Sequence, residues 1–276
     1  MKRFIFIAAL LSVISGCSVF QPKDSGTNTK VAQTGDELAH FSENSAGGLP
    51  NNWVPMVVFR NRKKTEYKLV TDGDKTVLHA YAAGATSGLM ENVSIDPNAQ
   101  PWINWKWKIG SQAKSIDNSQ RPTEDSPVRI ILGFDGDKDT LPFSDQILFD
   151  TAKLLTGYEF PYATLMYIWD SKAPVGSVKK SKRSSRIRTM VVENGLNTVD
   201  QWRDFTRNIV EDFQKAYGEK PGKLIGVGVL TDTDEPDETV EAWYGDIRLL
   251  QNVNKVGMSN NKPADGFVST DSKQQQ

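Results

Sequence analysis

The residues best suited to chemistry in this 276-residue chain are carboxylates. The stretch TDTDEP, 231 to 236, alternates Asp232 and Asp234 with threonines and runs on into Glu235, Asp237 and Glu238. In an extended strand, residues two apart share a face, so Asp232 and Asp234 would stand side by side. Two carboxylates so placed can take up a cation, or shift one another's pKa and serve acid–base work. Pro236 and the further acids fit a third reading, an acidic turn. Asp135, Asp137 and Asp139 open like a calcium loop, yet the glycine of its sixth position is missing and Gln146 replaces the glutamate of its twelfth. Asp72-Gly73-Asp74 is a third acidic turn. Calcium is the one ion these loops suit, with Asp232 and Asp234 as its ligands. A glycosidase would need two carboxylates about 5 Å or about 6.5–9.5 Å apart, and Asp125, Asp170, Asp232, Asp234 and Asp246 could supply them. His40 and His79 are the two histidines and Cys17 the one cysteine, which disfavours zinc and a serine triad. No P-loop, dinucleotide fingerprint or Gly-x-Ser-x-Gly elbow is present, so no organic cofactor is expected.

Aromatic residues raise the second chemistry, stacking on a sugar. In PWINWKWKI, strand alternation puts Ile103, Trp105, Trp107 and Ile109 on one apolar face, which reads as core. Trp102 shares the other face with Asn104, Lys106 and Lys108 and is the platform candidate. Trp169 beside Asp170 sets another ring next to a carboxylate. Near the end of the body, Trp243, Ile247 and Leu249 share a face. Tyr244, Asp246 and Arg248 share the opposite one, a row that suits a polar ligand or a cross-strand ion pair. The basic run KKSKRSSRIR, 179 to 188, suits lipid phosphates, an acidic glycan or plain solvent, with Arg186 and Arg188 continuing into a strand.

The elements that must position these groups are mostly strands. Alternation and β-rich runs predict strands at 54–59, 65–70, 75–81, 101–109, 127–134, 163–169, 186–192, 223–230 and 240–250. Asp-Gly and Asn-Gly turns separate several of them. Many short strands so punctuated predict a β-sandwich. Thr198 and Gln201 have capping-box spacing, and Trp202, Phe205, Ile209, Phe213 and Tyr217 recur near helical period, so a helix is predicted up to Gly218. It should pack on the strand LIGVGVL, where Gly226 and Gly228 leave a low face. A second helix is predicted over 144–156, with Ile147, Leu148, Leu154 and Leu155 apolar.

The ends of the chain point to a cell envelope. Met1-Lys2-Arg3, the apolar run Phe4 to Ile14 and Ile14-Ser15-Gly16-Cys17 resemble a bacterial lipoprotein signal. The run is well short of the roughly 20 residues of a membrane span. The resemblance implies a signal peptide over 1–16 and a lipidated Cys17 at the head of a flexible linker, 17–36. It also implies that Ser18 permits sorting to the outer membrane, facing the periplasm. A folded body over 37–250 and a disordered tail over 251–276 complete the expected layout. Removal of the leader leaves 31 basic against 34 acidic residues, a net charge of −3 that speaks against nucleic acid as a partner.

The body also resembles a family known as domain of unknown function 3047. The resemblance is carried by ATSGL (85–89), Pro101 with Trp105 and Trp107, EDSPVRIIL (124–132) and ATLMYIWD (163–170). It continues through SSRIRTMVVENG (184–195), Trp202 with RNIVEDFQKAYGE (207–219), GVGVLTDTDEP (226–236) and AWYGDI (242–247). Glu235 stands where the family has asparagine. The resemblance implies a jelly-roll-like antiparallel β-sandwich with one or two helices packed on it. It names no activity. The expected function is a non-catalytic, outer-membrane-tethered binding module for a glycan or other polar envelope ligand. Its candidate contacts are Trp102, Asp125, Trp169, Asp170, Arg186, Asp232, Asp234, Tyr244 and Asp246. A carboxylate-pair glycan-active enzyme and an assembly lipoprotein that binds another protein are the alternatives.

Overall fold

The computed structural model describes residues 38–57, 61–111, 126–156, 159–233 and 238–253. Cys17 with its flanking leader and linker, Asp125, Asp234 and most of the expected tail lie outside them. In chain order the elements are β1 (Val54–Met56), β2 (Glu66–Asp72), β3 (Lys75–Ala83), β4 (Thr86–Ile95), β5 (Trp102–Ile109), β6 (Arg129–Phe134) and α1 (Phe143–Thr156). There follow β7 (Ala163–Asp170), β8 (Val178–Lys180), β9 (Ile187–Asn194), β10 (Arg203–Asn208), α2 (Ile209–Tyr217), β11 (Leu224–Asp232), β12 (Thr239–Tyr244) and β13 (Arg248–Leu250).

The strands form the expected sandwich. One sheet has the order β1-β4-β11-β6-β7-β9-β8, the other β10-β5-β12-β3-β2 with β13 also paired to β5. Pairing is antiparallel except between β7 and β9, which run parallel. The core fills the space between the sheets and follows the alternation of β5: Ile103, Trp105, Trp107 and Ile109 are all buried. Trp105 stacks on Tyr167 of the opposite sheet at 5.1 Å and 10°, and on Phe205 at 5.1 Å.

The short strand β8 was not expected, and the larger departures from the sequence reading each have a local reason. The helix expected from Thr198 is half as long. Residues 203–208 pair instead with β5 as β10, because Arg203, Phe205 and Arg207 can all face inward at strand spacing. Helix α2 then starts at Asn208, whose side chain accepts from the amides of Val210 and Glu211. It stops, as expected, at Gly218, which takes a left-handed φ of 76°. It buries Ile209 and Phe213 in the main core rather than landing on the glycine face of β11, which Met56, Met90, Ile131 and Leu230 cover.

The strand expected over 240–250 is broken. Tyr244 pairs with Trp107, and Arg248 pairs with Asn104, so four steps on one side meet three on the other. That extra residue is a bulge, and it reverses the face on which the chain's later residues lie. Tyr244 therefore points into the core, away from Asp246 and Arg248, and Trp243 points out. β4 was not expected at all. It lies between β1 and β11, its residues 86–91 are all buried, and apolar–polar alternation begins only at Asn92. Helix α1 occupies the predicted span, but Ile147, Leu154 and Leu155 are exposed rather than packed, and Phe149 is its buried apolar residue.

Substitution Asn208→Ala tests the α2 boundary. Loss of an N-cap costs about 1 kcal/mol, so a urea melt should shift to lower midpoint. A helix running from Thr198 would place alanine at a mid-helix position and leave the midpoint unchanged or raised.

Candidate functional site

The sequence-derived carboxylates among the described residues, Asp170, Asp232 and Asp246, already hold partners. Asp232 ends β11 opposite Thr86 and forms a buried ion pair with Arg129 at the start of β6. Asp170 ends β7 and accepts from the amides of Lys172 and Ala173 at 2.9 and 2.7 Å and from Lys179 at 2.9 Å. Burial works to raise the Asp170 pKa, but these donors outweigh it and hold the carboxyl below the ordinary aspartate range. These two acids share one end of the seven-stranded sheet with Trp169. That ring is wholly buried and donates to the Gly195 carbonyl at 3.2 Å, so it offers no platform.

The other candidates lie elsewhere. Arg186 stacks between Tyr162 and Tyr217, its guanidinium 4.0 and 4.8 Å from the ring centroids, and bonds Glu219 at 2.5 Å. Asp246 accepts from the amide and hydroxyl of Ser42 at 2.9 and 2.7 Å and from Arg248 at 2.8 Å. Trp102 is half-buried and pairs with Asn208 and Leu250. Tyr244 is buried, its hydroxyl bonded to Thr231 at 2.7 Å and to the Leu230 carbonyl at 3.0 Å. The Asp135–Asp139 stretch closes as a 3-10 turn in which Asp137 accepts from the Asp139 amide at 3.0 Å. Among the described residues no group of three His, Cys, Asp or Glu is placed to hold a metal ion.

What the fold assembles instead is the outer face of the six-stranded sheet. The register lines up Lys108, Trp243, His79 and Lys68 in one row across β5, β12, β3 and β2. A second row sets Glu241 beside Tyr81 and Glu66. His79 lies 5.0 Å from the Trp243 ring and 3.5 Å from Glu241. β3 overruns the last partner of β12, so the β2–β3 hairpin tip is free to bend across this face. There Asp72 accepts from the Trp202 indole at 2.7 Å and from Lys108 at 3.1 Å. Asp72 is on one edge strand and Trp202 abuts the other, so the contact bridges the two edges of the face, and this bridged strip is termed the trough. Lys108 lies 4.5 Å from the Trp243 ring centroid and 5.2 Å from that of Trp202. A side chain at Gly245 would press on Lys106, with its Cβ 3.2 Å away, and would touch the Trp202 ring only at ordinary contact distance, 3.8 Å. The Trp202 indole and then Lys108 hold the Asp72 carboxyl below its ordinary value, so the trough keeps this negative charge at neutral pH.

Trp202, Trp243, His79 and Lys108 were not among the sequence candidates, and Asp72 entered only as part of an acidic turn suited to a cation. Trp202 was read into the long helix and Trp243 into the core, and both errors trace to an unrecognised change of period. The short pattern Glu241-Ala-Trp243-Tyr contained the signal: small Ala242 and Tyr244 inward leave Trp243 outward.

Behind the trough, Trp107 donates its indole N–H to Glu193 at 2.7 Å, and Arg203 bonds the same carboxylate at 2.8 Å. Burial lifts the Glu193 pKa above its ordinary 4.5, against these donors. A carboxyl raised on folding stabilises most below its unfolded pKa, and that contribution is lost as pH rises through the folded value. The cost of Glu193→Gln in thermal or urea melts should therefore shrink from pH 4 to pH 7. A cost that grows over that window would reverse the sign.

Residues 51–248 match the sequence model of the family described as Protein of unknown function (DUF3047), and the chain belongs to that family. No curated protein is similar to it in sequence. Among solved structures it is similar to the K2 cleaved adhesin domain of Lys-gingipain, at 8% identity and a TM-score of 0.38 over 77% of this chain and 98% of that one. It is also similar to the family 11 carbohydrate-binding module of Clostridium thermocellum, at 9% and 0.35 over 78% and 94%. A family 30 carbohydrate-binding module aligns at 10% and 0.35 over 78% and 93%. These are similarities of β-sandwich outline.

Proposed function

We propose that this member of the DUF3047 family is an envelope-tethered, non-catalytic binding module that holds a glycan in the trough of its six-stranded sheet. The observation that carries the reading is the joining of exposed Trp202 with half-buried Trp243, Lys108 and Asp72 on the outer face of one sheet. Sugars present apolar C–H faces and a rim of hydroxyls. Rings flanked by a carboxylate, an ammonium and an imidazole match both, as small-molecule sites generally combine apolar walls with a few placed polar groups. A carboxylate-pair enzyme is the weaker reading, because Asp170, Asp232 and Asp246 already hold structural partners. The tether is Cys17, lipidated after removal of residues 1–16 and anchored in the outer membrane facing the periplasm. The lipobox-like Ile14-Ser-Gly-Cys17 supports it.

Two measurements test the two halves. In affinity electrophoresis through gels carrying envelope polysaccharides, wild type should be retarded, and Trp202→Ala or Trp243→Ala should weaken retention roughly tenfold, about 1.4 kcal/mol. Equal mobility in every polymer would remove the glycan reading. Mass spectrometry of protein extracted from membranes should find diacylglyceryl and N-acyl mass on Cys17. An unmodified thiol there would remove the anchor.

A further inference from the structure

Helix α1 presents an apolar face to solvent. Phe143 is 75% exposed, Ile147 49%, Leu154 85% and Leu155 61%. Phe143, Ile147 and Leu154 are spaced by four and eleven residues, which returns each to the same stripe of a helix. Leu155 and half-buried Leu148 widen that stripe on one side. The helix is held the other way round: Phe149 is buried, and Asp145 is buried in the first turn. An isolated exposed leucine is ordinary. Several large apolar side chains on one outward stripe mark an interaction surface.

The charges around the helix select the partner. Asp145 accepts from the Ser185 amide at 3.2 Å and also from the Ser185 hydroxyl, so the basic loop is fastened to the helix's first turn. That loop carries Lys180, Lys182 and Arg183, all exposed. On the other flank Glu159 is paired with both Lys138 and Lys153 at 2.9 Å, so it opposes the cations little. Asp137 and Asp139 stand on the loop ahead of the helix, on the side where Gln146 bonds the Asp139 carbonyl at 3.1 Å. Asp150, seven residues after Phe143, is the acid on the edge of the stripe. An outward apolar stripe on a helix whose first turn also holds a basic loop combines the two features that settle at the headgroup level of an anionic bilayer.

We propose that α1 and the Lys180–Arg183 loop form a docking surface for anionic phospholipid, on which the body lies in the plane of a membrane. This surface is separate from the trough and does not depend on the lipid at Cys17. An anchor there would raise the local lipid concentration and strengthen the same contact.

The test uses the chain from Ser18 to Gln276, which keeps every described element and contains no cysteine. Leu154→Cys then carries a single environment-sensitive dye. With vesicles of phosphatidylglycerol and phosphatidylethanolamine the dye should shift to the blue, and the unlabelled chain should sediment with them. Phe143→Ser/Ile147→Ser/Leu154→Ser should reduce sedimentation roughly tenfold, with an unchanged far-ultraviolet spectrum. Lys182→Glu/Arg183→Glu should weaken binding to these vesicles and leave the weak binding to pure phosphatidylcholine unchanged. Absence of a dye shift with anionic vesicles overturns the proposal even if the triple variant fails to fold. Undiminished sedimentation of a folded triple variant overturns it too. A dye shift without vesicles that grows with protein concentration also overturns it, and assigns the face to a second copy of the chain.

Discussion

The structure depends on one contact between its sheets, the stack of Trp105 on Tyr167. It joins β5 to β7 at 5.1 Å with nearly parallel rings, and Phe205 closes the other side. Buried aromatic pairs of this kind add about 0.5–1.5 kcal/mol beyond their area. The gain has a cost. The Trp105 indole N–H is buried and finds no acceptor among the described residues, a penalty of about 1–3 kcal/mol. That the ring sits there anyway shows that stacking, not hydrogen bonding, decides its place. Because strand residues alternate, fixing Trp105 and Trp107 inward forces Lys106 and Lys108 outward. The trough is thus a consequence of the core.

Buried charges then lock the edges of this arrangement. Tyr167 donates to Asp212 at 2.8 Å, and Arg207 bonds the same carboxylate, so the ring under Trp105 is tied to β10 and α2. Trp107 is tied through Glu193 to Arg203. Such pairs add little net stability compared with apolar side chains of the same volume, yet removing one member leaves a buried charge without that partner. In this fold they specify register: a one-residue slip of β10 against β5 would carry Arg203 and Arg207 to the outer face, away from both carboxylates.

The sandwich, the β5 core face, the α1 span and the Gly218 stop were legible because each rests on a local pattern. Alternation exposed β5, and a glycine at positive φ exposed the helix end. The trough was hidden by two places where the period changes. At Asn208 a strand becomes a helix within one step, so five aromatic and aliphatic residues mimic a single helical stripe. At Gly245 a bulge reverses the face, so Trp243 and Tyr244 exchange roles. β4 was hidden for another reason: its residues 86–91 are buried on both faces, so the polar beat is confined to its last four residues. The partners of Asp170, Asp232 and Asp246 were not legible, since a carboxylate in sequence does not reveal whether an arginine or a pair of amides faces it.

The trough's polar groups are bonded to one another before any ligand arrives. Asp72 holds both Trp202 and Lys108, so the site is preorganised and loses little side-chain freedom on binding. On the proposed glycan reading, the same bonds would limit affinity, because a sugar hydroxyl that reaches Asp72 must replace a donor already there and returns only the difference. Weak contact per sugar with low entropic cost suits a polymer, which offers many equivalent units, better than a free monosaccharide. A molecule held at a surface meets such a polymer repeatedly, and repeated weak engagement gives strong retention without a deep pocket. On that reading, a face of this kind would work best where something else sets the protein's concentration near its ligand, as the proposed lipid on Cys17 would.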